Sequence, residues 1–267
     1  MTDEILGYGI TQKRSSGSAI DQRIEEIEYL GYTLADSGLE DRELKKIGDA
    51  LDKYYERQMV ETAADSVKMS ADANILRCPL VYDDVFISVA TAPPLLEVCS
   101  RLLGPNFVLL QQNGIINRPT TREYQSRWHR DLPYQHFVAS KKIALNALLC
   151  VEPFSIETGG TYVLPASHLF EEFPSDDYVR KHEKPIEAKS GSLLILDAML
   201  YHRSGYNRSN TNRRGINHLI GRPMMAQQID MPRMLQGRYE NDPFLRGYLG
   251  YRWNPAASVV EWRRMRQ

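Results

Sequence analysis

Cysteine is scarce in this chain. Cys78, Cys99 and Cys150 are its three, an odd number at spacings that match no metal knuckle. That excludes a full disulfide framework and a thiolate zinc site, and the expectation is reduced thiols in the cytoplasm. Neither sign of charge dominates either, since 33 Lys and Arg face 34 Asp and Glu for a formal net charge of -1. There is no broad basic field to attract a nucleic acid. Arg263, Arg264 and Arg266, interleaved with Trp262 and Met265, read as a solvated helix end. Long apolar runs are missing too: no stretch approaches the roughly 20 residues that cross a bilayer, and Met1–Glu4 lacks the basic and apolar character of a signal peptide. The expectation is a cytoplasmic protein with neither nucleic-acid nor membrane partner.

With 267 residues the chain is long enough for a substantial core. Residues 1–18, with Ser15-Ser16-Gly17-Ser18, read as a flexible leader, and 19–267 as one domain. Within it, 19–104 is helical, 105–225 is the core and 226–267 is a closing segment. Ile20, Ile24, Ile27 and Leu30 recur at helical spacing, as do Leu44, Ile47, Leu51 and Tyr54. Pro93-Pro94 divides two further short helices and Gly104-Pro105 stops the second. Residues 60–75 are polar, and a lid over a site is one reading of them. The period then changes. Phe107–Gln112, Ile143–Val151, Thr161–Leu164, Ser192–Leu196 and Gly215–Ile220 have strand character, with turn signals between them. The fold class expected is mainly β with flanking helices, around a double-stranded β-helix (jelly roll, cupin-like) core.

The chemistry centres on Trp128-His129-Arg130-Asp131. In an extended segment His129 and Asp131 project from one face and Arg130 from the other. A third ligand, His202, comes from a distant segment. Two imidazoles and one carboxylate on one side of a metal form the facial arrangement of non-haem Fe(II) oxygenases. Ser204 follows two residues after His202, and Arg213 opens the next apolar strand. A guanidinium fork with a hydroxyl beside it fits a carboxylate such as that of 2-oxoglutarate. Arg214 should face the opposite way on that strand, so the anion is given to Arg213.

At these residues the chain resembles the phytanoyl-CoA dioxygenase (PhyH-like) family of Fe(II)/2-oxoglutarate-dependent oxygenases. The similarity runs through Leu103-Gly104-Pro105-Asn106, Ile116-Asn117-Arg118-Pro119, the His-x-Asp, Gly159-Gly160-Thr161 to His168, Gly191-Ser192-Leu193 and His202 to Arg213. The resemblance implies Fe(II) on His129, Asp131 and His202, with 2-oxoglutarate chelating it and reaching Arg213 and Ser204, and O2 as the remaining reactant. It implies hydroxylation of an unactivated C–H bond of a small-molecule metabolite, with 2-oxoglutarate decarboxylated to succinate and CO2. Asp131 favours hydroxylation over halogenation, because related halogenases carry a small residue there. Gln112 and Thr161 are further cosubstrate candidates. Asn117, Arg118, Tyr134, Gln135 and His136 are substrate candidates, and Asn146 and Tyr162 suggest a hydrogen-bonding substrate. Desaturation, cyclisation and epimerisation stay open, since each begins with the same hydrogen abstraction. A cupin-like metal-dependent isomerase or hydrolase that does not use 2-oxoglutarate is the competing reading, which has no need of Arg213 and Ser204. The aromatic stretch Tyr248–Trp262 fits a homodimer contact as readily as core closure.

Overall fold

The computed structural model describes residues 5, 7–14, 17–65, 72–121, 124–132 and 137–266. Its first part is helical where the apolar spacing is helical. Helix α1 (Ala19–Tyr29) starts at Ser18, whose hydroxyl accepts the Asp21 N–H, and α2 (Asp41–Ala64) starts at a reciprocal Glu40/Glu43 capping box. Leu44, Ile47, Leu51 and Tyr54 form the buried stripe of α2. Burying each is worth about 1.5–3 kcal/mol. Helix α3 (Val85–Ala90) is short, and α4 (Pro93–Leu103) begins at the proline pair, where a missing N–H costs nothing. Of the stretch read as a lid, 60–64 complete α2, Ile75 opens a strand, and 66–71 lie outside the described residues.

Nine strands follow the chain as β1 (Tyr32–Asp36), β2 (Ile75–Arg77), β3 (Val108–Asn117), β4 (Ala144–Cys150), β5 (Thr161–Val163), β6 (Lys184–Pro185), β7 (Ser192–Asp197), β8 (His202–Ser204) and β9 (Arg213–Gly221). They form a six-stranded sheet ordered β1-β7-β4-β9-β3-β2 and a three-stranded sheet ordered β6-β5-β8, each antiparallel throughout.

This corrects the fold expected from sequence. The architecture is mixed α/β with two open sheets, not a mainly β jelly roll or cupin-like barrel. No ladder among the described residues joins one sheet to the other, and β5, β6 and β8 are only two or three residues long. Such strands offer too few N–H and C=O groups to carry hydrogen bonding around into a closed barrel. The described helices, including α5 (Asp176–His182), α6 (Met231–Leu235), α7 (Pro243–Tyr248) and α8 (Val259–Arg264), also hold more residues than the strands.

The large sheet has two different faces. Leu145, Ala147 and Leu149 of β4, Leu193 and Ile195 of β7, and Ile216 and Ile220 of β9 join α1–α4 in the main core. From the opposite face Leu148, Cys150, Leu194 and Leu196 meet Val163 and Ile186 of the small-sheet side. Strict alternation thus divides each central strand between a helix-facing set and a set facing the small sheet. Among the described helices, none is long and apolar enough to cross a membrane.

One polar pair is sealed beneath the helices. His218 Nδ1–H donates to the Ala147 carbonyl at 3.1 Å, leaving Nε2 to accept from Gln112 Nε2 at 2.9 Å. Burial pushes the His218 pKa down to about 4 against the opposing pull of that carbonyl. The unfolded chain binds this proton near pH 6.5 and the folded chain does not. The stability His218 contributes is therefore complete above pH 6.5 and lost as pH falls toward 4, amounting to about 3 kcal/mol. Urea unfolding of wild type and His218→Asn across pH 4–7 should show the variant losing less stability on acidification. Parallel curves would remove His218 as the source.

Candidate metal centre and cosubstrate pocket

The two halves of the centre are joined by main chain. His129 N–H donates to the His202 carbonyl at 3.0 Å and His202 N–H to the His129 carbonyl at 3.1 Å, while Asp131 N–H donates to Ala198 O at 3.1 Å. The His129 segment makes an isolated bridge rather than a strand. Arg130 locks it from behind. Its guanidinium lies 3.9 Å above the Tyr201 ring and donates to the carbonyls of Met199 (2.8 Å), Ser167 (3.0 Å), Glu171 (3.0 Å) and Phe170.

This backbone brings one donor atom each from His129, Asp131 and His202 within 4.8 Å of one another. His129 Nδ1–H donates to Arg127 O at 2.8 Å, and His202 Nδ1–H to Leu200 O at 2.9 Å. A carbonyl can only accept, so Nδ1 carries a proton in both rings and Nε2 is the nitrogen left to bind a metal. Burial, helped by His129 and opposed by Asp131, holds the His202 pKa below its ordinary value and the ring neutral. Asp131 Oδ2 is buried without a hydrogen-bond partner, 3.7 Å from His202 Nε2. Two imidazole nitrogens and an unpartnered carboxylate oxygen facing one point are the donor set of a divalent metal. Ligand bonds of roughly 2 Å lie within a small side-chain adjustment of this spacing.

Beside the triad lies a cavity of about 300 Å³. Eight buried side-chain polar atoms among the described residues lack a partner, and five belong to residues lining this cavity: Gln125, Asp131, Asn146, Arg213 and Asn217. Buried polar groups without partners are costly in a native fold. Their concentration here marks the place of a polar ligand.

Arg213 is the extreme case. It is 2% exposed, stacks 4.2 Å from the Phe154 ring, and has no carboxylate in ion-pair contact among the described residues. Its Nη2 donates to Gly159 O at 2.7 Å and Ser204 Oγ at 2.9 Å, and its Nε has no acceptor among the described residues. Burial lowers its pKa to about 10, so it stays charged at neutral pH. A buried guanidinium with unfilled donors is complete only with an anion. Arg214, the next residue, points to the other face and pairs with Glu152 at 2.5 Å and Asp52 at 2.8 Å.

The remaining candidates separate by strand parity. Thr161 and Ser204 are cross-strand partners on β5 and β8, and both line the cavity. Gln112 does not, which corrects its reading as a cosubstrate contact. It lies on the helix-facing side of β3, its Oε1 accepting from Leu80 N and its Nε2 donating to Phe86 O. Asn117 is structural, its Nδ2 donating to Gly159 O, Gly205 O and Ser204 Oγ at 3.0–3.2 Å, so it braces the Arg213 surroundings from outside. Arg118 stacks 5.0 Å from Tyr55 of α2 and is not among the residues that line the cavity. Tyr162 faces Arg203, 4.1 Å away, rather than the cavity. Tyr134, Gln135 and His136 lie outside the described residues. Arg77, Asn113, Gln125 and Asn217 line the cavity and were not singled out from sequence. A signal existed for Asn217, an amide two plus two residues along β9 from Arg213.

The family model for phytanoyl-CoA dioxygenase (PhyH) matches residues 27–215, most of the chain and all of the triad. The chain belongs to this family. It is an Fe(II)/2-oxoglutarate-dependent oxygenase, with Fe(II) and 2-oxoglutarate as its cofactor and cosubstrate. An uncharacterised protein of Mycobacterium tuberculosis, Rv1501, is 29% identical over 233 residues, 85% of this chain and 84% of that protein. Two solved structures share the fold. The apo non-haem monooxygenase ThoJ superposes with a TM-score of 0.62 at 17% identity, over 78% of this chain and 80% of ThoJ. The epimerase SnoN, in complex with Fe3+, alpha ketoglutarate and nogalamycin RO, gives 0.60 at 15% identity over 77% and 84%.

Gly159 ties this pocket together. At φ +71° a Cβ there would stand 2.7 Å from Asn117 Nδ2, 2.7 Å from Asn207 N and 2.8 Å from Gly205 O. In the oxygenase, Gly159→Ala should shift the carbonyl that receives Arg213 and raise the 2-oxoglutarate concentration for half-saturation about tenfold or more, with Fe(II) affinity little changed. Calorimetric titration of each in turn reads both, and a fall in Fe(II) affinity alone would contradict the assignment.

Proposed function

We propose that the oxygenase hydroxylates an unactivated C–H bond of a small-molecule metabolite. The observation that carries this is the convergence of unpartnered polar atoms around the triad, a preformed site for small polar molecules rather than an open groove for a polymer. Bound together, Fe(II), 2-oxoglutarate and O2 supply an oxidant that removes hydrogen from a C–H bond, the cosubstrate leaving as succinate and CO2.

The chain's own residues do the positioning. His129, Asp131 and His202 would hold the metal from one side. Arg213 and Ser204 would take the far carboxylate of 2-oxoglutarate, the charge-assisted contact that Arg213 lacks. The anion also reduces the cost of burying the cation. The cavity walls fix which C–H bond of the prime substrate faces the metal. An isomerase or hydrolase working without 2-oxoglutarate would leave Arg213 buried with nothing to bind, which disfavours that reading. Asp131 supports hydroxylation over halogenation. The three buried cysteines, all free, with burial pushing their thiol pKa values up, support a cytoplasmic setting. The relationship to SnoN keeps epimerisation in view as a second outcome of the same hydrogen removal.

Anaerobic titration of Fe(II)-loaded protein with 2-oxoglutarate should raise a visible metal-to-ligand charge-transfer band. In Arg213→Ala, checked for folding by circular dichroism, the half-saturating concentration should rise about tenfold to a hundredfold. No band from folded, iron-loaded wild type would sink the cosubstrate reading. With a metabolite that stimulates succinate formation, mass spectrometry of the product decides the outcome. A gain of one oxygen is expected, whereas unchanged mass means epimerisation and loss of two hydrogens means desaturation or cyclisation.

A further inference from the structure

Among the described residues four arginines line the cavity, and three are accounted for. Arg130 is bonded to backbone carbonyls, Arg203 is paired with Glu183 at 2.7 Å and stacked against Trp128 and Tyr162, and Arg213 faces the cosubstrate. The fourth is Arg77, at the end of β2. It sits in register with Asn113 of β3, which is in register with Asn217 of β9, so a polar row crosses three adjacent strands on the cavity side. Asn217 Oδ1 at the inner end has no partner.

Arg77 is weakly engaged. Its Nε and Nη2 share one oxygen of Asp72 at 3.1 Å, its Nη1 reaches Asn113 Oδ1 at 3.3 Å, and the two members of the ion pair are 33% and 37% exposed. A part-exposed pair of this kind contributes little and exchanges readily. The main chain at Arg77, by contrast, is held independently of the guanidinium, because Gln58 Oε1 accepts from Arg77 N at 2.8 Å and Gln58 Nε2 donates to Arg77 O at 2.9 Å. This backbone clamp presents a cation to the cavity with donors to spare.

Distance decides which molecule it serves. Arg213 is opposite Asn117 and Arg77 is opposite Asn113 on the other side of β3. Four residues along a strand and two strand spacings across separate their Cα atoms by roughly 16 Å. With one carboxylate of 2-oxoglutarate at Arg213 and the other at the triad metal, no anionic group of the cosubstrate remains to reach across that separation to Arg77. We propose that Arg77 is a specificity-determining residue of the oxygenase, binding a carboxylate of the prime substrate, with the Asn113–Asn217 row aligning the rest of that molecule. This rests on the small-molecule oxygenase reading above and narrows its substrate to an organic acid.

The test uses the Fe(II)/2-oxoglutarate-loaded protein under anaerobic conditions, with phenylacetate, 3-phenylpropionate and 4-phenylbutyrate as probes against their primary amides. Perturbation of the visible charge-transfer band reports binding near the metal. Acids should bind wild type at least about tenfold more tightly than the amides. Arg77→Ala should abolish that preference and Arg77→Lys should retain part of it, with the 2-oxoglutarate titration itself unmoved in both variants. Equal responses to acids and amides, absence of any response included, overturn the proposal, as does a preference that survives in Arg77→Ala. A band that never forms is a different failure: it takes down the cosubstrate reading and this inference with it.

Discussion

Two hydrogen bonds between the backbones of His129 and His202 determine where a metal can sit. They pin the loop after β3 to β8 of the small sheet, and both imidazoles ride on them. Everything else in the centre adjusts orientation. The Nδ1–H of each ring is tied to a carbonyl, Arg130 fastens the segment from behind, and Asp131 N–H is tied to Ala198. A metal site assembled this way needs no long strand through the ligand segment. A single bridge with a satisfied reverse side is enough.

The second constraint is electrostatic. A folded chain tolerates few buried polar atoms without partners, yet among the described residues five of eight gather around one cavity, together with a guanidinium that has no carboxylate in contact. Such an arrangement is unfavourable for folding and favourable for binding, because a dianionic cosubstrate completes what the protein leaves incomplete. The helical layer on the other face of the large sheet, with its apolar stripes and sealed His218–Gln112 pair, supplies the compensating stability.

Much of this was legible in the residues. The helices followed from stripes such as Leu44, Ile47, Leu51 and Tyr54, because an amphipathic helix is specified locally. The triad and Arg213 could be named because the residue types are chemically demanding and period-two alternation separates Arg213 from Arg214. The same alternation misled at Gln112, since a strand buried on both faces does not say which parity meets the cavity. Closure of the sheets was misjudged for a related reason: whether short strands such as β5 and β8 hydrogen-bond round to another sheet is a long-range matter of strand length and register. Arg77 gave no local signal at all. Its importance arises from cross-strand register with Asn113 and Asn217, which only the folded sheet creates.

The adjacent arginines of β9 have opposite fates, one buried toward the ligand, the other clasped by Glu152 and Asp52. A slip that moved Arg214 into the place of Arg213 would still present a guanidinium to the cavity, but it would leave Gly215 opposite Glu152 and Asp52 and strand two carboxylates without their cation. The doublet therefore acts as an error check on alignment. An evolutionary insertion or deletion ahead of β9 is penalised first through folding and only afterwards through chemistry, which shields the active centre from gradual drift in the length of the preceding turn.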